Sequence, residues 1–316
     1  MLRQQELDAH ELESDQEAPA GTHVKLRGMR VAFATCSLVP DGWPDDHEAA
    51  SLLNADFQSW DDPEVDWSRY DRVVLRSVFT YQHRLDAFLA WCRAVGPERL
   101  RNTPDLVAFV ADKRYLSQLS APSIPTTFVA ADDPLPELHG EVVVKPNVSA
   151  GARDTGRFSP RTHREALALI ERIREGDRVA LVQPYMSSVD AAGETAFVFF
   201  GGTLSHVLRK RPVLCPDEVA PVAREGFPRQ LGVAQAMLDE NLVFADEASP
   251  AEHALAANVL AEVVDNFGTP LFLRVDLVRD PTGVPILMEI EAIDALLYFA
   301  LAPGASAQFA AIVDAG

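Results

Sequence analysis

The chain has 316 residues, about two domains' worth at ~150 residues each. It is 47% hydrophobic and 24% charged, values of an ordinary globular protein and not of a disordered or disulfide-built one. Its 28 basic and 47 acidic residues leave a formal charge of −19, which argues against a general nucleic-acid or anionic-membrane binder. A local cluster of Arg and Lys around an anionic substrate remains compatible with that charge. The three cysteines, Cys36, Cys92 and Cys215, form no CxxC pair and suit reduced thiols in a cytoplasmic protein. No run approaches the ~18 apolar residues of a membrane span.

Residues 1–28 are polar and acidic, with no apolar core of a signal peptide, and read as a mobile tail. MRVAFATC (29–36) is a short apolar run that reads as a buried strand, followed by a helix from His47 to Asn54. DRVVLRS (71–77) predicts a second buried strand, and Tyr81–Val95 has helical spacing through Leu85, Phe88, Leu89 and Cys92. Alternating β and α predicts a parallel sheet with ligand groups at the strand C-termini, where Thr35, Arg76 and Ser77 sit. These three are candidate substrate-binding residues; the alternative is that they cap loops.

A helix is predicted over Asp105–Leu119, carrying Lys113, and the Pro-broken APSIPTT (121–127) marks a domain boundary. TFVAA (127–131) and EVVVKP (141–146) follow as strands. NVSAGARDTGRFSP (147–160) reads as a loop of small residues, which lets backbone N–H groups approach phosphate oxygens beside Lys145. Helix 161–174, strand 178–183 and a hairpin over 194–211, turning at Gly201–Gly202, come next. Residues 212–249 are irregular and acidic. Helix 250–266 leads into LFLRVDLVRD (271–280), a PTG turn (281–283), the strand VPILMEIEAI (284–293) and a final helix over 303–313.

The 271–291 region carries the most chemistry. Residues two apart share a strand face, so Arg274 and Asp276 share one, and Glu289 and Glu291 share another. A Glu-x-Glu in an otherwise apolar strand is costly unless partnered. Its carboxylates, ~6.6 Å apart along the strand, suit one or two hard cations, with Asp276 as a third ligand. Arg274 could hold anionic oxygens beside them. Taken alone, a solvent-facing surface of Arg–Glu pairs fits equally. Other signatures are missing. Gly151–Gly156 lacks the Lys-Ser/Thr of a Walker A loop, and no GxGxxG, HxxxH or GxSxG occurs.

In order, DKRYL, VVVKPNVSAGARDTGRF, LVQPYM, GETAFVFFGG, SHVLRKRP, LRVDLV and LMEIEAI resemble the ATP-grasp superfamily. The likeness runs from Met29 to Ala311. It is to bacterial members akin to D-cycloserine synthetase and, more distantly, to glutathione synthetase and D-alanine–D-alanine ligase. The resemblance implies an α/β and α+β architecture. A preATP-grasp substrate domain (29–120) precedes a small lid subdomain (121–186) and a large C-terminal subdomain (187–316) that clasp ATP. Matched by position, Lys113 and Lys145 would contact phosphates and the adenine edge, and Ser149, Ala150 and Gly151 would form the lid loop. Gln183, Tyr185 and Met186 would read adenine, and Asp190 would reach the ribose.

On the same resemblance, Asp276, Glu289 and Glu291 would bind one or two Mg²⁺ ions, replaceable by Mn²⁺; many members have Asn where Glu291 stands. Arg274 would stabilise an acyl phosphate, and Lys210 would take phosphate or a substrate carboxylate. The activity implied is an ADP-forming ligation of a small carboxylate to an amine, by a cytoplasmic protein that could be a homodimer. Where the close relatives are expected to read Ser-Thr-Trp-Asp-Tyr, this chain has Ser77-Val78-Phe79-Thr80-Tyr81. The loss of a carboxylate there implies a different amine. An intramolecular cyclase using the same site and a non-catalytic nucleotide-binding protein are the alternatives.

Overall fold

A computed structural model describes residues 28–176, 178–219 and 241–315. The expected tail, apart from Gly28, and most of the irregular 212–249 segment lie outside the described residues.

The chain builds three sheets. The first is parallel, from β1 (Val31–Thr35), β2 (Asp56–Ser59), β3 (Arg72–Leu75) and β4 (Leu100–Arg101), in the order β2-β1-β3-β4. Its crossovers carry α1 (His47–Leu53) and α2 (Leu85–Val95). All five side chains of β1 are buried, as expected of a strand covered on both faces. Two of these strands escape the sequence pattern. β2 is a short, largely polar edge, and β4 has only two residues.

α3 (Pro104–Val110) then stops short of the predicted helix 105–119. Asp112 accepts from the Arg114 amide at 2.9 Å and caps a separate 3-10 turn, Lys113–Ser117. Lys113 therefore opens a turn and does not ride on a helix face.

The second sheet is antiparallel, from β5 (Thr127–Val129), β6 (Val142–Pro146), β7 (Gly156–Phe158) and β8 (Ala180–Pro184), in the order β5-β8-β6-β7. α4 (His163–Glu175) covers it through Ala166, Leu169, Ile170 and Ile173. β7 lies inside the predicted loop 147–160, which shortens that loop to the turn before Gly156. After β8 comes a short helix, α5 (Ser188–Ala192), ended by Gly193 at φ +71°. A Cβ there would stand 2.5 Å from the Lys210 carbonyl oxygen, so the entry to the next strand needs glycine.

The third sheet contains β9 (Glu194–Phe200), β10 (Thr203–Lys210), β11 (Val243–Ala245), β12 (Phe272–Arg279) and β13 (Pro285–Glu291). It is antiparallel, ordered β11-β10-β9-β12-β13, with β9 buried along its whole length at the centre. α6 (Pro250–Phe267) packs behind it, begun by a Ser249–Glu252 capping box. α7 (Ala305–Ala315) folds back against α1, and its Phe309 shares a core with Phe33, Phe200 and Phe272. The first and third sheets are thus one packed body. Buried Asn102 strengthens the seam: its amide donates to the Phe272 and Ala292 carbonyls, both at 2.8 Å. Among the described residues no helix is long and apolar enough to cross a membrane.

Candidate active site

A cavity of about 290 Å³ opens between the second and third sheets. Its floor is the β12–β13 hairpin. The register pairs Arg274 with Glu291 and Asp276 with Glu289, which puts all four side chains on one face. Beyond Asp276 the ladder shifts so that Leu277 faces Leu287, leaving Met288 as a bulge directly before Glu289. One carboxylate oxygen from each of Asp276, Glu289 and Glu291 lies within 4.8 Å of the others.

Arg274 organises this cluster. Its Nε and Nη2 donate to Asp276 at 2.8 and 2.7 Å, and Nη2 also donates to Glu291 at 2.6 Å. Nη1 donates to the Leu296 carbonyl. Three hard oxygen donors crowd one guanidinium, an arrangement that suits a divalent cation completed by substrate oxygens. Burial raises the Glu291 carboxyl well above the usual carboxylate range; Arg274 opposes this, and Asp276 and Glu289 add to it. Burial would raise Glu289 likewise. There Lys145, Lys113, Lys210 and Arg274 outweigh it and hold the carboxyl below the usual range. Crowded carboxylates of this kind call for further positive charge, so the donor set fits Mg²⁺.

The cations come from three elements. Lys145, at the end of β6, stands 3.9 Å from Glu289; burial lowers its affinity for a proton. Lys113 donates to the Ser149 carbonyl at 2.9 Å, and its own amide donates to the Asn147 carbonyl. The 3-10 turn that carries it is pinned to the floor by Tyr115, whose hydroxyl accepts from the Ile290 amide at 2.8 Å. Lys210 is paired with Glu194 at 3.0 Å, directly across β9–β10. Burial would lower its proton affinity, but Glu194 and Asp276 raise it well above the ordinary lysine range.

The loop 149–155 roofs the cavity with Ser149, Ala150, Gly151, Ala152, Arg153 and Thr155. Gly151, Ala152 and Asp154 all have left-handed φ, at +63°, +57° and +51°. Arg153 is hydrogen-bonded to the His83 ring and so ties the roof to the first sheet's helical layer. Val143, Gln183, Tyr185, Met186, Val278 and Met288 form a largely apolar slot in the lining, where Tyr185, Met186, Val278 and Met288 belong to one cluster. Gln183 is oriented by donating to Thr126 at 2.8 Å.

Most of the residues singled out from sequence therefore meet around one cavity: Lys113, Lys145, Ser149, Ala150, Gly151, Gln183, Tyr185, Met186, Lys210, Arg274, Glu289 and Glu291 line it. Asp276 belongs to the same cluster, one layer beneath. Four of the residues singled out from sequence lie outside this lining. Asp190 does not line the cavity: Arg157 holds it at 2.8 Å and the Tyr185 hydroxyl donates to it at 2.7 Å. Thr35, Arg76 and Ser77 do not line it either. Arg76 pairs at 2.6 Å with buried Asp46, Ser77 donates to the same carboxylate at 2.9 Å, and Thr35 donates to the Val39 carbonyl. They belong to the frame behind the cavity wall.

Sequence reasoning missed Glu194, Tyr115, Trp43 and Asp294. Glu194 was findable as an acidic residue opening an otherwise apolar strand opposite a lysine. Nothing local marks the other three.

The N-terminal region matches a family model described as the N-terminal domain of D-cycloserine synthetase DcsG, over residues 31–102. A curated relative, the cycloserine biosynthesis protein DcsG of Streptomyces lavendulae, is 35% identical over 276 residues, covering 82% of this chain and 87% of that one. The crystal structure of D-cycloserine synthetase DcsG superposes with a TM-score of 0.77 at 29% identity, covering 90% of this chain and 98% of the other. The ATP-grasp ligase PsnB, solved with a phosphomimetic variant of its minimal precursor, Mg and ADP, shares the fold alone, with a TM-score of 0.53 at 14% identity. It covers 91% of this chain and 98% of PsnB. Two antiparallel sheets closing on a cationic, carboxylate-floored cavity behind a parallel domain define an ATP-grasp ligase, an enzyme that forms C–N bonds. More narrowly, the chain belongs to the family of D-cycloserine synthetase DcsG.

Proposed function

We propose that this enzyme is an ATP- and Mg²⁺-dependent carboxylate–amine ligase that works through an acyl phosphate on amino-acid-like small molecules in natural-product biosynthesis. The observation that carries the proposal is the hairpin register: it sets Arg274, Asp276, Glu289 and Glu291 on one face, opposite Lys113, Lys145 and Lys210.

The slot at Gln183, Tyr185 and Met186 takes adenine. Lys113 and Lys145 hold the phosphates, and the 149–151 loop closes on them through backbone N–H groups. Asp276, Glu289 and Glu291 would hold Mg²⁺, which when bound neutralises charge on the transferring phosphoryl group. An oxygen of the donor carboxylate forms a bond to the γ-phosphorus, the bond to the β–γ bridging oxygen breaks, and ADP leaves. The acceptor amine then bonds to the acyl carbon, the C–O bond to phosphate breaks, and the amine loses a proton. Arg274 supports the negative charge that builds on the acyl oxygen. The roof excludes water, which would hydrolyse the acyl phosphate. Lys210 supports phosphate beside Arg274. Asp190, beside Tyr185, would reach the ribose.

The relationship to D-cycloserine synthetase favours a second reading, intramolecular cyclisation of an O-ureido-serine-like substrate in the same site. ADP release across amino acids, singly and in pairs, with O-ureido-serine included and products weighed by mass spectrometry, separates the two. A product equal to the pair less water supports ligation. Turnover of one compound with internal loss supports the cyclase. Nucleotide binding without any ADP release would overturn both in favour of a non-catalytic protein. The homodimer proposed for the family is tested by sedimentation of the full chain.

A further inference from the structure

Beyond the carboxylate floor the cavity runs on to a wall supplied by the parallel domain. Trp43 and Phe79 meet there edge to face, with ring centres 5.5 Å apart, and Tyr81 continues the wall. The wall is braced from behind. The Trp43 amide donates to Ser77 Oγ at 3.0 Å, and Ser77 in turn donates to Asp46, the partner of Arg76.

Asp294 lines the same cavity, within electrostatic reach of Tyr81. It follows β13 by three residues. Among the described residues it has no ion pair within 4 Å, although Lys113, Arg274, Arg153 and Tyr81 all lie within electrostatic reach. The cavity cations are engaged elsewhere: Lys113 on the roof, Arg274 on Asp276 and Glu291, Lys210 on Glu194. Burial pushes the Asp294 carboxyl up to about 6. A carboxylate held in such a place gains a great deal when a cation arrives beside it.

The geometry points to Asp294 as the group that holds the α-ammonium of the carboxylate donor, and to that donor as an α-amino acid with a large apolar side chain seated against Trp43 and Phe79. The inference rests on the acyl-phosphate ligase reading and deepens it. A donor carboxylate bound for phosphorylation must sit among Lys113, Arg274 and the floor carboxylates. An α-amino acid carries its ammonium one carbon away, toward Asp294, and projects its side chain outward, where the wall is aromatic. A charged side chain would be desolvated against those rings. A held ammonium has no lone pair, so the donor's own nitrogen cannot compete with the acceptor amine for the acyl phosphate.

The test is calorimetric titration of the full chain, loaded with a non-hydrolysable ATP analogue and Mg²⁺, with both enantiomers of phenylalanine, both enantiomers of alanine, and 3-phenylpropionate. One enantiomer of phenylalanine should bind at least about tenfold more tightly than alanine and than 3-phenylpropionate. Asp294→Asn should bring phenylalanine and 3-phenylpropionate to equal affinity, and Asp294→Glu should restore part of the difference. Should Asp294→Asn fail to fold, Phe79→Ala serves instead and should erase the preference for phenylalanine over alanine. Equal binding of 3-phenylpropionate and phenylalanine by the unchanged protein, an Asp294→Asn variant that still discriminates, or no binding by any of these compounds once nucleotide is bound would overturn the subsite alone. Failure to bind the nucleotide analogue at all would overturn the ligase reading with it.

Discussion

Two of the clusters that place charged side chains on buried strands serve opposite ends. At the tip of β3, Arg76 and Ser77 close on one carboxylate, Asp46, with both members of the ion pair only 2% exposed. Phe272, Phe299 and Phe309 surround the guanidinium, their ring centres 5.3 to 5.8 Å away. Charge is balanced one to one, and the pair is sealed from solvent. On the β12–β13 hairpin one arginine faces three carboxylates, and the face opens into a cavity. A balanced, sealed cluster joins sheets; an unbalanced, open one is built to receive a ligand. Buried polarity alone does not distinguish them, whereas charge balance and access do.

That contrast can be broken by substitution. Asp46→Ala should cost about 3–5 kcal/mol, because it leaves the Arg76 charge buried and unpaired. Chemical denaturation should show it, with the remaining folded protein still binding nucleotide. Glu289→Gln should leave the unfolding midpoint near that of the parent and reduce Mg²⁺-dependent ADP formation by about 10²–10³-fold, the usual scale for losing one transition-state charge contact. An Asp46→Ala protein of parental stability, or a Glu289→Gln enzyme of parental rate, would erase the distinction. Lys145→Ala should weaken ATP binding by about 10- to 100-fold, as expected for a charged hydrogen bond, measured by calorimetry. Ser77→Ala should be the mildest. It removes the bonds to Asp46 and Trp43 for about 1 kcal/mol of stability, and a small rise in the KM of the donor substrate would register the loosened wall.

The two regions also differ in how legible they were. The hairpin could be read because its partners are close in sequence: a short turn at 281–283 joins the strands, and period-two alternation assigns the faces. Even there, the bulge at Met288 and the depth of Asp276 needed coordinates. The pairing at the end of β3 could not be read from sequence, because its partner, Asp46, comes from a 3-10 turn 30 residues earlier that no periodicity links to it. The pairing of Asp190 is hidden for a related reason, since Arg157, which donates to its carboxylate, comes from a strand inside a glycine-rich segment.

Composition and periodicity alone determined an acidic α/β chain with a parallel sheet first and a carboxylate hairpin near its end. The ordered motifs determined the superfamily. These are consequences of local alternation and of chain order, which sequence records directly. Tertiary structure decided which strand-end groups face the cavity and which brace it. It also joined the first and third sheets through Phe309 and Asn102, and set Trp43, Phe79 and Asp294 around one space. Those outcomes depend on contacts between residues up to some 250 positions apart, as when Asp45 accepts from the Phe299 amide at 2.9 Å. Packing and charge pairing, not spacing along the chain, select such contacts.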